Sequence, residues 1–307
     1  NFENNAVNGT SLNARGGAVE GRNSTLLFDG CTFKNNTVFS SSTSSSVSVY
    51  GGAIENIPAD RYSGQELIMA ADATTIITNS TFQWNESLKN GGAIAVGKTV
   101  SCSNVLFNEN TALHDGGGAY LQDGEMSLTN ATFTSNTADQ DGGGVYFYGY
   151  ASSKGSIFVK DSILDGNTAG MNGGGIASGQ IGGVHGHITG ATFTNNEAGA
   201  KGGAIYQNFT LDLFENSIVS TNKAVKGGGM FAASRGKGAT VSTVLFDHNN
   251  ATENGGGIYA EQDFNLNSST ITANTAGVNG GGAYLKTTTE NYCTVSNCVF
   301  ENCRTLN

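Results

Sequence analysis

Ten times along this chain a glycine pair is followed by a small residue and then an apolar one, as in Gly-Gly-Ala-Ile. The first glycines of the ten are Gly16, Gly51, Gly91, Gly116, Gly142, Gly173, Gly202, Gly227, Gly255 and Gly280. An aromatic or aliphatic residue followed two positions later by Asn alternates with this motif, and the shortest step between glycine pairs is 25 residues. A fixed period of this size marks a solenoid, in which each repeat buries its apolar face only against its neighbours.

The spacing within a repeat separates a rigid part from a variable one. Phe82 to Gly91, Phe107 to Gly116, Phe133 to Gly142, Leu164 to Gly173, Phe193 to Gly202, Phe246 to Gly255 and Ile271 to Gly280 are each nine residues apart. From a glycine pair to the next aromatic position the interval runs from 16 to 31. One side of the coil is therefore stacked and uniform, and the other takes the insertions. These lie near 37–50, 55–73 (with the lone Pro58), 148–156, 178–187 and 232–239. Segments of three to six residues rich in Thr, Val, Ile and Phe alternate apolar and polar positions, which is strand patterning. Glycine at 45 positions would defeat a helix.

The expected fold is all-β: one domain over 1–307, a single-stranded parallel β-helix of about ten to eleven coils. At about 4.8 Å per coil it would be a rod of about 50 Å. A β-propeller is set aside because its four-stranded blades need about 40 residues. Both ends stop inside a repeat without a polar cap, so the chain reads as a segment of a longer protein or one whose ends other subunits cover.

Asn5, Asn36, Asn85, Asn110, Asn136, Asn167, Asn196, Asn222, Asn249 and Asn274 share one repeat position, and Cys303 breaks the series. Stacked at coil spacing, their amides can bond one another in a ladder that satisfies buried polar groups at a turn. Asn also tolerates the left-handed backbone of a sharp bend. Phe33, Phe82, Phe107, Phe133, Phe193, Phe246 and Phe300 interchange with Leu164, Val219 and Ile271, which is core packing. Val19, Ile54, Ile94 and their counterparts are expected to face inward. Strand alternation then sends Tyr120, Tyr146, Tyr206, Phe231, Tyr259 and Tyr284 outward as an aromatic stripe, available to sugars or another chain; the opposite facing remains open. Asp115 and Asp141 precede glycine pairs in adjacent coils and are expected to splay into solvent.

The net charge of -10 with no clustered cations argues against nucleic acid, and no run of 18 apolar residues suggests a transmembrane segment. Five cysteines are present; Cys293, Cys298 and Cys303 are candidates for a local disulfide in an exported chain. Their spacing does not suggest zinc, and no cofactor is implied. Asn-x-Ser/Thr occurs at Asn8, Asn23, Asn35, Asn79, Asn85, Asn130, Asn208, Asn250 and Asn267, candidate N-glycosylation sites if the protein is secreted by a eukaryote.

The Gly-Gly-Ala-Ile motifs at 91–94 and 202–205, with Phe-x-x-Asn at 82–85, 107–110, 133–136 and 193–196, resemble the repeats of chlamydial polymorphic outer-membrane proteins. These belong to the broad pectate-lyase-like group of right-handed parallel β-helices. The resemblance covers nearly the whole chain. It implies right-handed coiling, which agrees with the general bias of parallel connections, and a role in surface display and adhesion. The family's C-terminal membrane barrel has no counterpart in these residues, and the glycosylation triplets point away from bacteria.

The reading that follows is an extracellular or cell-surface structural scaffold, a rod within a larger or filamentous assembly, with self-association or other structural subunits as partners. The alternative is an adhesin or carbohydrate-binding module with glycans as partners. A polysaccharide lyase or hydrolase is a minor alternative. It would need paired acids such as Asp161 or Asp165 beside Asp139 or Asp141, and no catalytic constellation stands out. His185 and His187 lie in a glycine-rich insertion without identifiable further metal ligands.

Overall fold

The computed structural model describes residues 1–9, 13–22, 24–40, 48–57, 73–149, 155–179, 184–233, 238–286 and 292–306. Among these every regular element is a strand, and every strand pairing is parallel. Two sheets of eleven strands and one of eighteen run the length of a parallel β-helix. The eleven strands of the first sheet agree with the coil number expected from the repeats.

The first sheet carries the aromatic motif. Its three-residue strands, among them Thr81–Gln83, Leu106–Asn108 and Thr132–Thr134, stack in strict register, so that Phe33, Phe82, Phe107, Phe133 and Leu164 form one column. The rings lie face to face, with centroids 4.7 Å apart for Phe33–Phe82, 4.9 Å for Phe82–Phe107 and 4.4 Å for Phe107–Phe133. All are fully buried. Aromatic pairs at this separation add to the area term that burial alone supplies.

The chain then bends through the Asn corner into the second sheet, whose two- to five-residue strands bury small side chains such as Ala112, Ala138, Ala169 and Ala198. The glycine pair closes the next turn, and each glycine has its own reason. Gly116 has φ +68, and a Cβ there would strike the Ala119 carbonyl. Gly117 lies so close to the next coil that a Cβ would overlap the Gly143 oxygen. Left-handed geometry fixes the first residue and close approach of backbones fixes the second.

The eighteen-stranded sheet follows. In two coils it runs unbroken, as Ile94–Ser103 and Ala119–Thr129. Elsewhere the same line is cut in two, as in Val145–Tyr148 and Ser156–Lys160, or Ile176–Ser178 and His185–Thr189. The insertions near 55–73, 148–156, 178–187 and 232–239 fall at these cuts; that near 37–50 lies after Thr37–Ser40. Much of each insertion, Pro58 included, is outside the described residues. Ile94, Val145, Ile176, Ile205, Met230 and Ile258 point into the main core. So do Ile77, Cys102, Leu128, Val159 and Ile188, aligned along the second half of the sheet.

Two local expectations need correction. The left-handed residue at the Asn corner is the one before each ladder Asn: Asn35, Trp84, Glu109, Ser135, Asn195, Thr221, His248 and Ala273 all have φ between 51 and 57. The ladder Asn is conserved in type along the rod for hydrogen bonding and not for backbone freedom. The tyrosine stripe does face away from the main core, but it is not open to solvent. Tyr120, Tyr146, Phe231 and Tyr259 are at most 7% exposed, and Tyr206 and Tyr284 are half-buried.

Candidate functional site

The Asn ladder is a closed hydrogen-bond account. Asn136 Nδ2 donates to Asn167 Oδ1 at 2.9 Å and to the Phe107 carbonyl at 3.0 Å. Its Oδ1 accepts from Asn110 Nδ2 at 2.9 Å and from the Asn110 backbone N–H at 3.0 Å. The amide bond to the next Asn runs from Asn5 through Asn36, Asn85, Asn110, Asn136, Asn167, Asn196, Asn222 and Asn249 to Asn274. From Asn36 to Asn274 these residues are at most 1% exposed. A fully satisfied, buried chain of this kind supports the fold and offers no group to a ligand. At its end Asn274 Nδ2 approaches Cys303 Sγ at 3.9 Å.

Four of the six stripe residues are too buried to offer a sugar platform, and Tyr206 and Tyr284 are half-buried at the ends of their column. Tyr120 and Tyr146 stack at 5.7 Å, and Tyr206, Phe231, Tyr259 and Tyr284 stack at 5.7, 4.8 and 5.1 Å. Ala177 interrupts the column between Tyr146 and Tyr206. The inner rings of each column are thus covered by their neighbours, and Ile57 and Ala95 pack against the first group. Lys201 Nζ sits 4.8 Å from the Phe231 ring centroid. The exterior of this sheet forms two satellite cores, one around Tyr120 and Tyr146 and one around Phe231 and Tyr259.

The acids beside the stripe are not splayed. Asp115 Oδ1 accepts from the Asp141 N–H at 3.2 Å, and Asp141 Oδ1 accepts from Asn172 Nδ2 at 2.8 Å. Burial, with the Asp141 charge added, pushes the Asp115 carboxyl up to about 7, and burial raises Asp141 as well. Glu55 is fully buried against Arg15, whose Nη1 is 3.2 Å from its Oε1. Desolvation outweighs that attraction and lifts Glu55 to about 8. Its Oε2 and the Arg15 Nε have no partner.

The remaining expected sites divide as follows. Asp165 accepts from Thr194 Oγ1 and Asn195 Nδ2 on the aromatic-sheet exterior, while Asp141 is tied into the glycine turn, so the two serve different corners. His185 Nδ1 lies 2.8 Å and His187 Nε2 3.5 Å from Asp212 Oδ2 on the exposed surface. No group of three metal-ligating side chains occurs among the described residues. The five cysteines are free. Cys293, Cys298 and Cys303 occupy different sides of the last coil and bond the Gln262, Leu266 and Ile271 carbonyls of the coil before, so the expected local disulfide does not form. Cys102 is inert in the core, its thiol pushed up to about 12 by burial.

Two glycosylation triplets are closed by the fold. Asn85 is a buried ladder member, and Asn208 is buried with Nδ2 donating to the Gly179 carbonyl at 3.0 Å. Asn35, Asn79, Asn130, Asn250 and Asn267 are exposed. Asn8 lies in the strand Ala6–Gly9, and Asn23 is outside the described residues.

The exterior of the aromatic sheet holds the features that the sequence reading passed over. Trp84, the single tryptophan, occupies the left-handed corner position with φ 56 and is 42% exposed. Lys34 Nζ lies 4.7 Å from its ring centroid. At the opposite end of the strand Thr81–Gln83, an open cavity of about 320 Å³ is lined by Asn79, Asn104 and Asn130 with Val105 and Leu106. Asn130 Nδ2 donates to Asn104 Oδ1 at 2.7 Å, and Asn104 Nδ2 to Asn79 Oδ1 at 3.1 Å. This is a second, exposed amide ladder. The signal for Trp84 was in the sequence: only one Phe-x-x-Asn motif has Trp in its second variable position.

A model of the Chlamydia polymorphic membrane protein repeat matches residues 130–148, 190–208 and 243–261. Each match begins at the corner before the aromatic strand and runs through the Asn corner and the glycine turn. A probable outer membrane protein, PmpB, of Chlamydia trachomatis serovar D is 35% identical over 80 residues, which is 25% of this chain and 4% of that protein. The aligned part is therefore a small fraction of that relative's length. No solved structure matches. Both similarities agree with a place at the cell surface, and no helix among the described residues is long and apolar enough to cross a membrane. Its motifs and their stacking in register make the chain a parallel β-helix repeat protein, and at three places its repeats are similar to the Chlamydia polymorphic membrane protein repeat.

Proposed function

We propose that this chain is a rigid rod segment of a cell-surface protein, structural in its main role, which holds exposed faces and insertion loops at a fixed spacing. The observation that carries this reading is the unbroken Asn ladder from Asn5 to Asn274, which ties ten successive coils into one buried network. A scaffold needs such stiffness, whereas an enzyme needs converging reactive groups. The acids best placed for catalysis are instead bound into turn ladders.

The test has two parts. Antibodies raised against the isolated chain should label intact, unpermeabilised cells of the source. Incubation with a polysaccharide panel should release no new reducing or unsaturated ends. Labelling only after permeabilisation, or any bond cleavage, removes this reading. Self-association belongs to the same proposal, and sedimentation that shows only monomer across a wide concentration range removes that part.

Adhesion is the second reading. The exposed Trp84 and the amide-lined cavity on the same sheet favour it over a purely inert rod.

A further inference from the structure

Trp84 sits where its type is least suited. A bulky side chain in the left-handed region is strained, whereas Asn and Gly enter it readily. The other coils use Asn4, Asn35, Asn195 and Gly166 at this corner, along with small or polar residues such as Ser135 and Thr221. Trp84 gains little packing in return, for it is 42% exposed and belongs to none of the core clusters. A strained, exposed aromatic in an otherwise regular repeat is an outlier from which function can be argued.

The surroundings define what could lie on it. From Trp84 the exterior of the sheet runs over Gln83 and Thr81 to the cavity, roughly 10–16 Å at the usual rise per residue. The side chains of the path itself are uncharged, while Lys34 and Glu109 flank it at the Trp84 end and Asp29 at the Asn79 end. Asn104 and Asn130 each spend one amide N–H on a ladder bond, and Asn79 spends one on Asp29 Oδ1. Each therefore keeps a second N–H for a ligand. Leu106, 37% exposed, lies among them. Lys34 Nζ lies over one face of the Trp84 ring, which leaves the other face for a sugar, and among the described residues it makes no ion pair.

We propose that this face binds a glycan, with one pyranose ring stacked on Trp84 and the following units laid toward the Asn79–Asn104–Asn130 cavity. Sugar rings present apolar C–H faces to an aromatic plane and hydroxyls to amides, and both are offered here in line. A peptide adding as a strand would need a free sheet edge, but Thr81–Gln83 is paired on both sides. Nucleic acid would need clustered cations, and Lys34 stands alone. The inference goes beyond the rod reading and depends on it only for access. Binding is read on the isolated chain, whereas the rod reading stands or falls on cell labelling.

Because Trp84 is the single tryptophan, its fluorescence reports this site directly. The purified chain is titrated with chitohexaose, maltohexaose, hexagalacturonate and sialyllactose. At least one should shift the emission saturably, with a Kd at or below about 1 mM. Asn104→Ala should weaken that binding about fivefold or more without moving the unliganded spectrum. Trp84→Asn, followed by calorimetry, should weaken it about tenfold or more while Tm stays level or rises. Binding of hexagalacturonate or sialyllactose alone, lost in Lys34→Ala, supports a carboxylated glycan. Binding of a neutral sugar supports the ring platform without the charge. The proposal is overturned if none of the four gives a saturable response. It is equally overturned if Trp84→Asn binds as the parent chain does, or if that variant lowers Tm and so reveals a structural role.

Discussion

Replacing Asn136 by Ala in the middle of the rod isolates the ladder's contribution. The change leaves the Asn110 backbone N–H without its acceptor and strands one of the two Asn110 amide hydrogens. It also removes the Asn136 amide from the Phe107 carbonyl. The other Asn110 amide hydrogen keeps the Phe82 carbonyl, and Asn167 Oδ1 keeps the backbone N–H of residue 136. Two buried N–H groups are thus orphaned, and the Phe107 carbonyl, within a paired strand, loses one of its donors. At about 1–2 kcal/mol for each orphan, the loss should be roughly 2–4 kcal/mol. Asn5 sits at the exposed start of the ladder and bonds only forward, so Asn5→Ala should cost less than about 1 kcal/mol. Urea unfolding followed by circular dichroism measures both. Hydrogen exchange at residues 107–140 and 240–275 shows whether the loss stays local, as nearest-neighbour stability in a repeat array allows. An Asn136→Ala rod within about 0.5 kcal/mol of the parent, or no worse than Asn5→Ala, would refute the argument that these amides are needed to satisfy the corner.

Asp115 gives a pH dependence with a definite sign. Its folded value of about 7 lies above the ordinary 3.8, so the folded state binds more protons between those values. Stability should therefore fall as pH rises from about 4 to 7, by an amount on the order of 1–4 kcal/mol. Asp115→Asn should remove its share of that fall and match the parent near pH 4, as read from Tm across the range, and the rest of the fall should persist because Glu55 and Asp141 are raised as well. Phe133→Ala should cost about 3–5 kcal/mol in denaturant unfolding, because its ring is stacked and fully buried. Tyr146→Ala should likewise lower Tm yet leave any glycan response of Trp84 unchanged, since its ring is buried in the satellite core. Reductant should not shift Tm, because the five thiols are free.

Much of the architecture was legible because a solenoid repeats its physics. The nine-residue interval from Phe82 to Gly91 recurs because the same two corners and one short strand must be crossed in each coil. The column of Phe and Leu residues, the ladder Asn and the turn glycines each appear at one repeat position for the same reason. What repetition does not encode is what lies beside it. The outward facing of Tyr146 follows from alternation, but its burial depends on neighbours such as Ile57 and Tyr148 that belong to neither repeated motif. Asp115 and Asp141 read as solvated acids because nothing local shows the backbone N–H, of Asp141 and of Asn172, that the next coil donates to each carboxylate. The three C-terminal cysteines are close in sequence and yet occupy different sides of a coil. Trp84 was legible as a departure from the repeat, and its left-handed backbone and exposure required the structure.

The central claim is that successive coils stack in parallel, in register, at one strand spacing. Gln83, Asn108 and Thr134 are aligned on the exterior of three consecutive coils. In a cysteine-free background, the triple variant Gln83→Cys, Asn108→Cys and Thr134→Cys can carry nitroxide labels. Continuous-wave electron paramagnetic resonance should then show a strongly broadened, exchange-narrowed spectrum, because neighbouring labelled backbones are about 4.8 Å apart. Single-label controls should show three sharp lines. Three sharp lines from the triple-labelled chain would contradict the stacked parallel β-helix itself.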